Sequence, residues 1–342
     1  MEFALNLNTA WFSLVGVLFI GYAILDGFDL GVGALHLLAR TDAERRVMLN
    51  SIGPVWDGNE VWLITGGGAL FAAFPHVYAT AFSGFYTAFI LLLLVLIFRA
   101  VAIEFRSKRI GTLWRSAWDT AFSVSSIVIA LLAGVALGNV VQGIPIGPDK
   151  EFAGTFWGLI NPYSLLVGVT TLSLFIMHGA IYLTLKTEGE FQDRIRGWVK
   201  RVVATFIVCY VALTAVTLIT VPHMTERFQD APYLLIIPVL TMLAIANIPR
   251  ETKHRREFRA FLSSGASIAG LLVLFGIGLY PNILISSTAA DFSLNIYNAA
   301  SSQQTLRIML IIAATGMPFV IAYTTSIYWV FRGKVKLDPM SY

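Results

Sequence analysis

Long uninterrupted apolar runs dominate this chain, in place of the short alternation of a soluble strand or the half-polar period of a soluble helix. Nine runs approach or exceed the roughly 20 residues needed to cross a bilayer. They are Thr9–Leu38, Val55–Phe74, Val77–Phe98, Ala117–Val141, Pro162–Leu185, Val202–Val221, Ala231–Ile248, Phe261–Leu284 and Leu306–Phe331. Leu, Ala, Val, Phe and Gly run through them without the in-out alternation of a barrel strand, so each is expected to be a helix. The predicted fold is an all-α polytopic membrane protein forming one integral membrane domain over residues 1–342. The longest outer connection, Pro281 to Thr305, is rich in Ser, Asn and Thr and reads as a surface or interfacial turn.

Composition agrees with that reading. Of 342 residues, 57% are hydrophobic and 13% charged, about half the charge of a soluble domain, which argues against an ordinary soluble enzyme. The net charge of +4 does not point to nucleic acid, because the basic residues lie in loops between apolar segments, the pattern of membrane topology. Arg40, Arg45 and Arg46 follow the first segment, and Arg99, Arg106, Lys108, Arg109 and Arg115 the third. Lys186, Arg194, Arg196, Lys200 and Arg201 follow the fifth, and Arg250, Lys253, Arg255, Arg256 and Arg259 the seventh. Arg332, Lys334 and Lys336 lie in the tail, and only Lys150, Arg227 and Arg307 fall on the other side. The expected orientation is therefore N-terminus outside and C-terminus cytoplasmic, which requires an odd number of helices. No Lys or Arg precedes Arg40, so the first segment lacks the basic start of a cleaved signal peptide and is expected to remain as a helix. The single cysteine, Cys209, rules out an intrachain disulfide and a thiolate metal cluster.

Ionisable residues at membrane depth are costly and are therefore candidates for function. Asp26 and Asp29 in the first segment are three apart and share a helical face. They could relay protons or bind a cation, or they could answer a basic residue such as Arg99 at the end of the third segment. The second cluster, Trp56, Asp57, Asn59, Glu60 and Trp62, opens the second segment behind Pro54, a residue suited to a first helical turn. Asp57 there could simply be stabilised by the helix dipole. Asp57 and Glu60 again share a face, so a proton entering from the cytoplasm would meet two carboxylates in sequence, with Asn59 nearby. Trp56 and Trp62 read equally as interfacial aromatics. Close helix approach is expected at Gly27 and Gly31, at Gly134 and Gly138, and in the run Gly66, Gly67 and Gly68. Of five histidines, only His36 and His178 sit where they could ligate a membrane haem; a lone intramembrane histidine is more often hydrogen bonded within its bundle. No metal-ligand spacing, nucleophile elbow or phosphate loop is present, so no catalytic or metal-binding residue is assigned.

Several stretches carry a family resemblance. GFDLGVG at Gly27–Gly33, NSIGPVWDGNEVWLITGGGALFAAFP at Asn50–Pro75 and FSGFY at Phe82–Tyr86 resemble subunit II of the bd-type quinol oxidases. RSK at Arg106–Lys108, GNVVQGIP at Gly138–Pro145, Asn161 with Pro162, and the SST and SSQQTL elements between Ser286 and Leu306 extend the match in order along the chain.

The resemblance implies nine transmembrane helices arranged as two four-helix bundles, residues 9–141 and 162–284, plus a peripheral ninth helix over 306–331. It implies a tightly paired subunit I carrying two b-type haems and haem d, with none bound by this chain. The complex would oxidise quinol near the outer face and reduce dioxygen to water. Cytoplasmic protons would be consumed and quinol protons released outside, so proton motive force is generated without a pump. Asp57 then matches the motif carboxylate of a cytoplasmic proton route at the subunit interface, and Trp62 a tryptophan at a lateral oxygen entrance. Glu60 departs from relatives that have a neutral glutamine there, so it assists Asp57 without being required. For Asp26 and Asp29, structural support and proton conduction both stay open. Some relatives bind a structural quinone in this subunit, but no residue here identifies the site. Small single-helix accessory subunits and membrane lipid complete the expected partners, in a bacterial or archaeal cytoplasmic membrane. The competing readings are a proton- or cation-coupled transporter using Asp26, Asp29 and Asp57 at a central cavity, and a haem-carrying cytochrome using His36 and His178.

Overall fold

A computed structural model describes residues 6–337 and Ser341. Twelve α-helices carry the described chain: α1 (Leu7–Leu35), α2 (Asp42–Ile52), α3 (Trp56–Ala73), α4 (Pro75–Gly84), α5 (Tyr86–Phe105), α6 (Thr112–Gln142), α7 (Pro162–Lys186), α8 (Gly189–Thr220), α9 (His223–Asp230), α10 (Ile236–Lys253), α11 (Glu257–Leu279) and α12 (Gln303–Val330). Local chemistry sets several starts. The side chain of Asn6 accepts from the Thr9 amide at 2.9 Å to open α1. Asn161 and Ser164 form a reciprocal capping box on α7, with Pro162 in its first turn.

Eight helices among the described residues are long and apolar enough to cross a membrane. The second expected span, α3, is not one of them. It has 18 residues, about 27 Å at 1.5 Å per residue, and its first two turns hold Asp57, Asn59 and Glu60. The third expected segment is also redrawn. Residues 77–98 run through α4 and into α5, and the membrane-length helix is Tyr86–Lys108, so Arg99 lies inside it and not in the loop after it. The eighth ends at Leu279, after which Asn282–Leu284 (β1) pairs antiparallel with Leu294–Asn295 (β2) in place of further helix.

Helices α1 and α7 occupy the centre. α1 packs on α3, α6, α7, α11 and α12; α7 packs on α6, α8 and α11, and α10 pairs with α11. α7 is the most buried span and α12 the least. The outward faces of α5, α8, α10 and α12 expose Leu93, Ile97, Ile219, Leu243, Ile312 and Phe319, as a surface facing lipid or protein requires.

Small residues permit the central contacts. A Cβ added to Gly31 would lie 1.9 Å from the Phe175 carbonyl oxygen, and one on Gly179 would lie 2.5 Å from the backbone of Gly31 and Val32, so α1 and α7 meet backbone to backbone. Gly134 and Gly138 bring α6 equally close to Gly168 and Ser164 of α7, at 2.7 Å. Ion pairs of Arg194 with Glu44, Arg196 with Glu257, and Arg106 with Asp42 gather the basic connections at one end. Burial raises the Glu44 carboxyl, but hydrogen bonds from Arg194 and the Arg40 amide outweigh it and hold the group below the usual carboxylate range. At the other end Leu284, Leu294 and Ile296 join Ile144 and Ile146 in a separate apolar core.

Candidate functional site

The two carboxylates of α1 meet side chains from α3 and α5, and α12 joins the cluster through one of these. Arg99 of α5 donates from Nη2 to Asp26 Oδ1 at 2.6 Å and from Nη1 to Glu60 Oε2 of α3 at 3.3 Å. Asn59 Nδ2 donates to Asp29 Oδ2 at 2.7 Å and to the Leu25 carbonyl at 3.1 Å. Tyr328 of α12 donates to Asn59 Oδ1 at 2.8 Å. Asp26, Asp29 and Arg99 are fully buried. Two carboxylates, Asp26 and Glu60, thus share one guanidinium while Asp29 is held by Asn59, and Asp26 Oδ2 and Asp29 Oδ1 have no hydrogen-bond partner among the described residues.

The members of the α3 motif separate by helical phase. Asp57 is exposed and, among the described residues, makes no hydrogen bond or ion pair. Asn59, about 200° further round the helix, points into the bundle. Glu60, with 18% of its side chain exposed, lies one turn from Asp57 and still reaches Arg99. The structure therefore joins Asp26, Asp29, Asn59 and Glu60 but leaves Asp57 outside. That separation removes the central cavity of three aspartates on which the transporter reading depended.

Half-buried Trp62 lies across Gly21 of α1, where a Cβ would come within 2.4 Å of its ring. Among the glycines expected to pack, Gly27 faces the ring of Phe175 and Gly66 that of Phe19. Gly67 and Gly68 have nothing within 4 Å, so the packing expected of them is not found within this chain. Consecutive residues turn about 100° apart, and the run can aim only part of itself at α1. Gly31→Leu is expected to abolish recovery of detergent-stable protein, whereas Gly16→Ala in the same helix, where space is open, is tolerated. Equal recovery of the two variants by size-exclusion chromatography would contradict the α1–α7 contact.

A second charged cluster escaped the sequence reading. Asp119 of α6 is fully buried and accepts from His36 Nε2 at 2.6 Å, Arg45 Nη1 at 2.8 Å and Arg106 Nε at 2.5 Å. Arg106 also reaches Asp42 at 2.7 Å. The signal was present, because Asp119 is a lone charge within an apolar segment, the criterion that singled out Asp26.

The histidines do not form a haem-ligand pair. His178 uses Nδ1 with Ser264 at 2.7 Å and Nε2 with the Ile24 carbonyl at 3.1 Å, and it stacks on Phe261. Ile24 precedes His36 by twelve positions on the same helical stretch, about 18 Å along its axis, so His36 and His178 cannot ligate one iron. No group of three or more His, Cys, Asp or Glu residues able to hold a metal occurs among the described residues.

Comparison with known proteins agrees with this architecture. A family model described as cytochrome bd terminal oxidase subunit II matches residues 7–331. The chain is 39% identical over 366 aligned residues to cytochrome bd-I ubiquinol oxidase subunit 2 of Escherichia coli (strain K12), covering 98% of this chain and 96% of that protein. It is 38% identical over 340 residues to cytochrome bd ubiquinol oxidase subunit 2 of Bacillus subtilis (strain 168), covering 98% and 99%. A chain in the solved structure of bd oxidase from Geobacillus thermodenitrificans shares the fold, with a TM-score of 0.78, 17% identity and coverage of 95% of this chain and 98% of that one. With its apolar helices, these matches make it a multi-pass bacterial membrane protein, and the chain belongs to the family of cytochrome bd terminal oxidase subunit II.

Proposed function

We propose that this chain is the haem-free subunit II of a quinol oxidase that reduces dioxygen to water. It stabilises a haem-bearing subunit I and supplies part of a cytoplasmic proton route. The nine-helix topology, with two four-helix bundles, a peripheral last helix and the basic end in the cytoplasm, belongs to the same reading. Haem in the partner supplies the electron transfer to dioxygen. This chain's contribution is the fixed charge and hydrogen-bond array on α1, α3 and α5. The engagement of both His178 nitrogens, and its distance from His36, support placing the haems in the partner.

The observation that carries the proton route is the position of Glu60. It links the exposed face of α3, which presents Asp57 to a partner, with Arg99 and Asp26 inside. Asp57 receives the proton from the cytoplasmic side and Glu60 holds it at the edge of the buried cluster. Trp62, on the same helix and seated on α1, marks the lateral approach for dioxygen.

Asp57→Asn is expected to lower quinol oxidase turnover at least about tenfold with haem content retained, because an amide cannot take up and release the proton. Oxygen-electrode rates set against the haem spectrum of the purified complex test this. Unchanged turnover in a fully assembled complex would remove Asp57 from the route. A spectrum taken after the subunits are separated tests the haem assignment, since bands that follow this chain would overturn it.

A further inference from the structure

The basic end contains a cleft of about 410 Å³ between the end of α2, the end of α7 and the tail that follows α12. Its lining includes Lys186, Lys334 and Lys336, the tyrosines Tyr182 and Tyr328, and apolar Phe331, and it contains no carboxylate among the described residues. Lys186, at the end of α7, donates to the Phe331 carbonyl at the end of α12, and Lys334 donates to the Thr184 carbonyl of α7 at 3.0 Å. The Val335 amide donates to the Lys186 carbonyl at 2.9 Å. These bonds tie two helix ends together, as lysines near helix C-termini do. The charge is balanced only in part: Glu257 and Glu188 lie close enough to act on Lys334 from outside the cleft, but within it a carbonyl offers only a dipole and three ammonium groups share the space.

We propose that this cleft binds a phosphate-bearing anion, with Lys186, Lys334 and Lys336 facing the phosphate. The site lies at the end of a membrane-spanning bundle, at the level of lipid headgroups. Its wall continues onto the exposed apolar residues Trp329, Val330 and Phe331 of the last helix, beside which acyl chains can lie. An anionic phospholipid and a free phosphate share the chemistry that the lysines read, and basic pockets between membrane helices suit such headgroups. The proposal needs only the membrane fold and is independent of the oxidase reading.

The test is native mass spectrometry of the purified complex containing this chain, delipidated and then titrated with dioleoyl phosphatidylglycerol. Inorganic phosphate serves as competitor at constant ionic strength, and phosphatidylcholine as control. Retention of one phosphatidylglycerol is expected to weaken about thirtyfold in Lys186→Gln with Lys334→Gln. Insensitivity to inorganic phosphate identifies a lipid as the occupant. Saturable displacement by phosphate, lost in the variant, identifies a soluble phosphate instead. Equal retention by wild type and variant, for both probes, overturns the proposal. If the double variant fails to accumulate, Lys336→Gln serves, because Lys336 is exposed and makes no hydrogen bond among the described residues; loss or preservation of binding there decides in the same way.

Discussion

Arg99→Leu is expected to leave almost no folded protein in the membrane. Arg99 is fully buried and answers Asp26 at 2.6 Å and Glu60 at 3.3 Å. Removing one partner of a buried pair costs about 3–5 kcal/mol, because the charge left behind has neither water nor a counter-ion. That is a large part of the total stability of a typical fold, about 5–15 kcal/mol. Asp26→Leu together with Arg99→Leu removes both members of the buried pair and is expected to recover much of the loss, since Asp29 keeps its bond from Asn59 and Glu60 retains some exposure. Fluorescence-detected size-exclusion chromatography compares the three proteins. A single variant as well recovered as wild type would show that Arg99 does not hold the cluster together, and a double variant no better than the single would show that its role is packing and not charge.

Asp119→Ala is expected to be comparably damaging. It strips His36, Arg45 and Arg106 of their shared acceptor, and only 2% of the Arg106 side chain is exposed. Asp42→Asn is the internal control. Asp42 also accepts from Arg106, but its side chain is 45% exposed, and an ion pair open to solvent is worth about 0–1 kcal/mol. Thermal unfolding midpoints of the purified complex should therefore separate the two clearly, with Asp119→Ala far below wild type and Asp42→Asn close to it. Equal midpoints would mean that the network at this end is held by packing.

Much of the fold was legible because hydropathy is a local sum. Apolar runs long enough to span must become helices in lipid, whatever their neighbours, since every backbone group needs an internal partner. The capping of α7 by Asn161 with Pro162 is local as well. Where the expectation failed, a local sum was the wrong quantity. Hydropathy alone ends the third segment before Arg99, since an isolated guanidinium is costly in hydrocarbon. Asp26, 73 positions away, offsets that cost, and the helix runs on through Arg99 to Phe105.

The candidate site divides along the same line. Sequence alone determined the helical character of the apolar segments and the placement of basic residues in alternate connections. It also showed that Asp26 and Asp29 share one face, because helical phase and charge order are properties of neighbouring residues. Only the tertiary structure decided that Asp26 answers Arg99 while Asp29 answers Asn59, and that Asp57 faces outward from this chain. It likewise decided that Tyr328 from the last helix completes the cluster on the first, and that Asp119 gathers three cations. A buried charge is stable only with its partners in place, and those partners come from helices far apart in sequence, so the chain must fold before they meet.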